Sequence, residues 1–233
     1  MKIFSAEYGF LCLLIVFFSC TGQAKDLIWK EDFNNTVVSG GKEIPVAWYN
    51  RPGKWLSPAT DFFIEKIDGK NVLKVHADKA TGAFMYNLSG IVDLKKTPVL
   101  RWRWKALKLP GGADGRGNKD DQAVAIYIGT GTLSYRAVAY RWETETPKGV
   151  EDSISYGTAK IKWFCIRNKT DSLNEWYTEE KNIAEDFRKI YGFIPEKFII
   201  SIAGNSQYTE SNTEALVDWI EFVPSAPELS FKN

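Results

Sequence analysis

The sequence has very few residues of the kinds that build disulfide scaffolds or metal centres. It holds three cysteines and one histidine in 233 residues, and Cys12 and Cys20 lie in an apolar N-terminal segment. Cys165 is then the only cysteine of the remaining chain, which excludes a disulfide framework and a cysteine-based zinc site. Because Cys165 lies in an apolar run, residues 163–166, we expect a buried and inert thiol.

An excess of charge of either sign is also missing. The formal net charge is +1, from 30 basic and 29 acidic residues. Proteins that bind nucleic acid usually carry a basic face, so this nearly neutral chain gives no electrostatic support for such a partner. We find no internal repeat, low-complexity tract or long linker, and the length suits one large β domain.

The N-terminus has the three-part layout of a secretory signal. Lys2 precedes an apolar run, residues 10–18, and small or polar residues follow up to Ala24. A membrane helix needs roughly 20 apolar residues, so we expect no transmembrane span once this leader, residues 1–24, is removed. Cleavage after Ala24 is our prediction, and an acylated Cys20 is the alternative. We expect the protein in the periplasm or secreted, or on the outer membrane if Cys20 is lipidated.

The clearest local pattern is a β-hairpin around Asp68-Gly69. Residues 62–67 and 70–76 are β-rich, and Asp-Gly supplies the positive φ angles of a tight turn. Apolar and basic residues alternate along residues 99–106, which places Trp102, Trp104 and their neighbours of the same parity on a buried face.

Similar runs predict the rest of an all-β fold. Further strands are expected at residues 83–87, 123–128, 135–142, 160–167, 198–203 and 216–223. One segment, residues 183–191, has helical periodicity, and Gly192 can end it. We therefore predict a single jelly-roll-like antiparallel β-sandwich over residues 25–233, with one short helix packed outside the sheets.

The longest irregular stretch, residues 109–121, contains three carboxylates. Asp114, Asp120 and Asp121 could hold calcium together with backbone carbonyls, since a hard cation takes several oxygen ligands. The alternative is a solvated loop in which these acids pair with Arg116 and Lys119. No other cofactor is expected.

A ligand site is expected where this loop faces the end of the strand at residues 135–142. Trp142 and Tyr140 could present flat rings to a sugar, and the loop acids could accept hydrogen bonds from its hydroxyl groups. Glu143 and Glu145 would point to the same side if that strand continued, as paired catalytic carboxylates must, but a solvent-facing edge fits equally well. The candidate ligand-binding residues are Asp114, Asp120, Asp121, Tyr140, Trp142 and Glu143.

An ordered series of motifs carries a family resemblance. The series is Leu100-Arg101-Trp102-Arg103-Trp104, Gly112-Ala113-Asp114, Asp120-Asp121, Ile126-Tyr127-Ile128, Tyr140-Arg141-Trp142 and Asp218-Trp219-Ile220. It resembles DUF3047, a family of bacterial exported proteins without a settled activity, over nearly the whole mature chain. The resemblance implies an envelope β-sandwich similar in outline to jelly-roll modules that bind or cleave polysaccharides. The chain departs from the family pattern at Ala125, where relatives usually have arginine, and at residues 205–209, where they usually have an Asp-rich loop.

These observations favour a noncatalytic carbohydrate-binding or scaffolding module, with an envelope or extracellular glycan as its partner. One alternative is a polysaccharide-active enzyme, a hydrolase or lyase on a jelly-roll fold. Another is a structural partner of a second envelope protein. The sequence offers no converging catalytic set, which is why the binding role is preferred.

Overall fold

The computed structural model describes residues 29–51 and 58–226. The predicted leader, with Ala24 and Cys20, lies outside these residues. The described strands are β1 (Trp29–Glu31), β2 (Thr36–Ser39), β3 (Lys42–Pro45), β4 (Tyr49–Asn50), β5 (Asp61–Ile67), β6 (Lys70–Asp78), β7 (Thr81–Asn87), β8 (Val99–Lys108), β9 (Gln122–Thr130), β10 (Arg136–Trp142), β11 (Glu151–Tyr156), β12 (Ala159–Arg167), β13 (Tyr177–Asn182), β14 (Ile199–Asn205) and β15 (Asn212–Val223). Helix α1 spans Ile183–Tyr191, between β13 and β14.

Two large sheets form the architecture. The six-stranded sheet has the order β13-β8-β15-β6-β5, with β1 also pairing with β15, and the seven-stranded sheet has the order β11-β12-β10-β9-β14-β7-β4. All neighbours are antiparallel except β10 and β12, which run parallel. The chain crosses between the sheets from β6 to β7, from β7 to β8 and from β8 to β9, as in jelly rolls. The predicted antiparallel β-sandwich is confirmed.

The core lies between the sheets and is rich in indole rings. On β8, Trp102 and Trp104 are fully buried, and their rings pack edge to face at 5.3 Å. From the opposite sheet, Tyr140 packs 5.5 Å from Trp102, and Trp142 packs 5.7 Å from Trp104. The predicted alternation of β8 is confirmed, because the intervening Arg101, Arg103 and Lys105 are half-exposed.

The predicted hairpin is the connection between β5 and β6. Ile67 pairs with Lys70, and the two turn residues have positive φ angles, 49° at Asp68 and 78° at Gly69. This is the geometry that Asp-Gly favours, because glycine has no Cβ to oppose a left-handed backbone.

Helix α1 has the predicted bounds. The side chain of Asn182 accepts a hydrogen bond from the Glu185 N–H, and Gly192 ends the helix at φ 82°. Ile183 and Phe187 join the core and contact strands of both sheets, so the helix closes one side of the sandwich instead of lying outside it. No helix among the described residues is long and apolar enough to cross a bilayer.

A second, smaller apolar cluster lies on the outer face of the seven-stranded sheet, the face turned away from the core. It consists of Ala139, Trp163 and Cys165. Cys165 is buried as expected, and burial raises the pKa of its thiol to about 12. This cluster forms the support for the polar groups described next.

Candidate functional site

A buried arginine is the centre of the polar groups on this outer face. Tyr140 and Trp142 point into the core, so Arg141 between them points outward. Its side chain is 2% exposed. Its Nη2 donates to Asp120 Oδ1 at 2.6 Å and to Gln122 Oε1 at 2.9 Å.

The guanidinium also rests on aromatic and acidic groups. Its central carbon lies 5.0 Å from the ring centre of Trp163, in cation–π contact. Glu143 Oε1 approaches Nη1 of Arg141 at 3.2 Å, but without the alignment of a hydrogen bond. Nε and Nη1 of Arg141 and Oε1 of Glu143 therefore have no hydrogen-bond partner within residues 29–51 and 58–226.

The carboxyl group of Glu143 is fully buried, and its environment changes its acidity. Burial raises its pKa from 4.5 to about 7, because the charged form loses hydration; the Arg141 cation opposes this rise and the Asp120 carboxylate adds to it. Thr146 Oγ1 lies 3.3 Å from Glu143 Oε2 and 3.2 Å from Asp114 Oδ1. Glu143 thus changes charge near neutral pH inside the network.

The loop at residues 109–121 is anchored against the segment that follows β10. The Gly115 N–H donates to Thr146 Oγ1 at 2.9 Å, and the Glu145 N–H donates to the Ala113 carbonyl at 2.8 Å. A Cβ at position 115 would lie 3.0 Å from Glu143 Oε1, so glycine permits the close approach. The loop at residues 109–121 is therefore fixed over the buried pair of Arg141 and Glu143, and we call this end of the seven-stranded sheet the rim.

A third segment, residues 206–211, is tied to the same rim by Asp121. Asp121 is fully buried, and its Oδ2 accepts hydrogen bonds from the Thr209 N–H at 2.7 Å and from Thr209 Oγ1 at 2.8 Å. The Gly111 N–H donates to Ser211 Oγ at 3.1 Å. Three loops therefore meet at one end of the seven-stranded sheet.

The expected calcium ligands do not form one site. Asp114 pairs with Arg116 at 2.6 Å, which holds its pKa at about 2. Asp120 is bound by Arg141, and Asp121 by the loop at residues 206–211. Across the described parts of the chain, no group of three or more His, Cys, Asp or Glu side chains could hold a metal ion. Each acid therefore has a separate protein partner, and calcium binding by this loop would have to displace those partners.

Two of the predicted sugar-contacting residues are buried in the core. Tyr140 and Trp142 have no exposed surface, so the expectation that Trp142 stacks on a sugar is wrong. Tyr140 and Trp142 were expected at the surface because they lie next to polar segments. Side chains alternate along β10, however, so Tyr140 and Trp142 face the core and Arg141 faces outward. Asp114, Asp120, Asp121 and Glu143, in contrast, all lie around the rim.

Glu143 and Glu145 do not form a pair of catalytic carboxylates. Strand β10 ends at Trp142, so the alternation that would align them does not continue. Glu143 is buried beside Arg141, whereas Glu145 pairs with Lys169 at the surface.

Three tyrosines that the sequence reasoning missed, Tyr127, Tyr156 and Tyr208, lie in the neighbourhood of the rim. Tyr156 is 62% exposed and Tyr208 is 45% exposed. The pKa of Tyr156 is raised by burial and by the nearby groups of Tyr208 and Asp120, and it is lowered by Arg141, so these groups are close enough to interact electrostatically with Tyr156. The Tyr127 hydroxyl accepts a hydrogen bond from Gln122 Nε2 at 3.5 Å. Tyr127 could have been found by alternation, because its neighbours in β9 are core residues. Tyr208 lies in a loop with no periodic pattern.

The fold and the site therefore define a class: a β-sandwich domain with aromatic and polar side chains at one end of its seven-stranded sheet. Residues 46–221 match the family model described as "Protein of unknown function (DUF3047)", and the chain belongs to that family. No curated protein matches the chain. The two places at which the sequence was expected to depart from the family pattern lie near the rim: Ala125 pairs in register with Arg141, and residues 205–209 include Thr209.

Solved structures resemble the fold at low identity. The tandem CBM22-1-CBM22-2 domain of Xyn10C from Paenibacillus barcinonensis has 12% identity and a TM-score of 0.45, with 84% of this chain and 50% of that chain covered. The present chain thus spans about half the length of that tandem. The xyloglucanase domain of NopAA from Sinorhizobium fredii has 12% identity and a TM-score of 0.44, covering 74% and 91%. The carbohydrate-binding module CtCBM11 has 12% identity and a TM-score of 0.38, covering 88% and 99%. Likeness at this level carries no argument about a ligand.

Proposed function

We propose that this domain is a noncatalytic carbohydrate-binding module that holds a glycan at the rim of the seven-stranded sheet. The observation that carries the proposal is that two exposed tyrosines, Tyr156 and Tyr208, lie within electrostatic range of each other, and Tyr156 within that of the Asp120 carboxylate. Exposed rings beside fixed polar groups are the combination that a sugar requires, because a sugar has apolar ring faces and a polar edge of hydroxyl groups.

The polar part of the site is preorganised. Arg141 holds Asp120 at 2.6 Å, and the guanidinium is itself fixed between Gln122 and Trp163. A carboxylate held in this way accepts hydrogen bonds from hydroxyl groups without losing side-chain freedom on binding. The anchored loops keep the rim in place, which supports recognition by a largely preformed surface.

The arrangement supports binding over catalysis. Hydrolysis by two acids needs carboxyl groups on opposite sides of an accessible bond. Glu143 is fully buried under Gly115, and Asp120 is engaged by Arg141. If the predicted leader directs export, the partner is an envelope or extracellular glycan.

The test uses the mature chain, residues 25–233, on a glycan array with and without calcium, followed by calorimetry with each glycan that binds. Tyr156→Ala and Tyr208→Ala should each weaken binding about tenfold, since a lost aromatic contact is worth about 0.5–1.5 kcal/mol beyond its buried area. Their melting temperatures should stay near that of the wild type, because both rings are exposed.

Trp176→Ala is the matched control. Trp176 immediately precedes β13, and its ring packs against β8 of the other sheet, 5.0 Å from Arg103 and 4.5 Å from Lys105. Its removal should leave glycan binding unchanged. A wild-type protein that binds no glycan, or tyrosine variants that bind as well as the control, would contradict the proposal and favour a scaffolding role.

A further inference from the structure

One hydroxyl group, that of Thr146, joins the loop at residues 109–121 to the buried carboxyl group of Glu143. We propose that Glu143 and Thr146 form a proton-operated latch, which holds residues 113–117 against the seven-stranded sheet when Glu143 is protonated and loosens them when Glu143 ionises. The inference concerns the movement of the loop and does not depend on which ligand the rim binds.

Three groups converge on Thr146 Oγ1. The Gly115 N–H donates to it at 2.9 Å, Asp114 Oδ1 lies 3.2 Å away and Glu143 Oε2 lies 3.3 Å away. A hydroxyl group has one proton to donate and two lone pairs with which to accept. When Glu143 is protonated, Thr146 accepts from Gly115 and from Glu143 and donates to Asp114. The protonated state therefore satisfies every hydrogen bond of the latch.

Ionisation of Glu143 removes one hydrogen bond from this arrangement. Two carboxylates, those of Glu143 and Asp114, then compete for the single hydroxyl proton of Thr146. Asp114 is already ionised, because its hydrogen bonds with Arg116 hold its pKa at about 2. The carboxylate that does not receive the proton faces the Thr146 oxygen as acceptor against acceptor, and this contact opposes the closed position of the loop.

The second carboxyl oxygen of Glu143 makes the ionised state costly as long as the loop is closed. Oε1 is buried and has no hydrogen-bond partner among the described residues, and a Cβ at Gly115 would lie only 3.0 Å from it. Arg141 does not satisfy this oxygen, because its Nη1 is not aligned and its Nη2 is bound to Asp120. Movement of residues 113–117 away from the sheet gives the carboxylate access to water, which offsets the cost of its burial.

The other groups around Glu143 keep a fixed charge near neutral pH. The titratable groups that face it are Arg141 on β10, Tyr127 on β9, Cys165 on β12, and Asp114 and Asp120 in the loop. Burial raises the pKa of Tyr127 and of Cys165, so both stay neutral, and the guanidinium of Arg141 stays charged. Because the pKa of Glu143 is about 7, the latch should respond within about one pH unit of neutrality.

Amide hydrogen exchange, followed by NMR on the mature chain, tests the latch. After correction for the intrinsic exchange rate, protection of the Gly115 N–H should fall about three- to tenfold from about pH 5 to about pH 8, the range expected for one lost hydrogen bond. The Glu145 N–H, which donates to the Ala113 carbonyl, should follow it. The Thr209 N–H, bound to Asp121 in the neighbouring loop, is the internal reference and should keep its protection.

Glu143→Gln is the decisive variant, because its side-chain amide can donate to Thr146 at every pH. Its Gly115 protection should equal that of wild type at low pH and stay constant as pH rises. Thr146→Val removes the hydroxyl group and should lower the protection at every pH, whereas Thr146→Ser should retain the pH response. Glu145→Gln is the matched control and should also retain it, since Glu145 pairs with Lys169 at the surface. Melting temperatures verify folding.

Three results would overturn the latch. The first is a wild-type Gly115 protection that does not change with pH, and the second is a Glu143→Gln variant with the pH response of wild type. The third is a parallel loss of protection at Gly115 and Thr209, which would assign the effect to the stability of the whole domain. None of these results bears on glycan binding at the rim, which the array tests separately.

Discussion

The buried carboxyl group of Glu143 should make stability depend on pH in a way that one substitution removes. In the native state its pKa is about 7, against an ordinary value of 4.5. Between these two pH values the native state holds a proton that the unfolded state has released. Stability therefore falls as pH rises through this window and levels off above it.

The size of the effect follows from the same numbers. One pKa unit corresponds to about 1.4 kcal/mol, so a rise from 4.5 to about 7 costs about 3 kcal/mol of unfolding free energy once Glu143 is ionised. Glu143→Gln has the shape of the protonated residue and never ionises. The variant should match wild type near pH 4 and be more stable by about 3 kcal/mol near pH 8.

Urea unfolding followed by tryptophan fluorescence provides the measurement. With a urea m-value of about 1–3 kcal/mol/M, the unfolding midpoint of Glu143→Gln at pH 8 should exceed that of wild type by about 1 M or more. Glu145→Gln is the matched control, since Glu145 lies two residues away but pairs with Lys169 at the surface. Its difference from wild type should be small at both pH values.

The reasoning would be refuted by a constant difference between Glu143→Gln and wild type across this pH range. Such a result would mean that Glu143 binds the same number of protons in the native and unfolded states. A variant less stable than wild type at pH 8 would show that the charge pair with Arg141 outweighs the cost of burial.

Three further expectations concern the core, the leader and calcium. Trp104→Ala should cost about 3–5 kcal/mol in urea unfolding because the ring is fully buried, whereas Trp176→Ala should cost less because that ring is only half-buried. Mass spectrometry of protein from its native host should find Lys25 or a close neighbour at the N-terminus, and an acylated Cys20 would show the other processing route. Calcium and a chelator should each leave the melting temperature unchanged. A rise with calcium would show that the loop acids bind the ion in spite of their separate protein partners.

Local signals in the sequence were sufficient for most of the fold. The Asp68-Gly69 turn, the alternation around Trp102 and the stop at Gly192 each depend on residues adjacent in the chain. The sequence predicted the bounds of α1 but placed the helix outside the sheets. Only the packing of the two sheets shows that Phe187 belongs to the core.

The site was harder to predict because its geometry depends on register between distant strands. Asp120 and Glu143 were candidates and do meet, yet the residue that joins them is Arg141, which sequence reasoning did not select. The partners of Arg141 come from the loop before β9, from β9, from the segment after β10 and from β12, and Tyr208 comes from another loop. No spacing in the sequence reports these neighbours.

The energetics of the network help to distinguish a site from a structural core. A buried ion pair is often no more stabilising than apolar residues of the same volume, and here Arg141 and Glu143 also leave polar atoms without hydrogen bonds. Stability alone therefore does not account for this cluster. The position of the cluster offers an explanation. Arg141 fixes Asp120, and Glu143 lies directly against Gly115 of the loop. A costly arrangement at the point where three loops meet near exposed tyrosines is consistent with a preorganised binding surface.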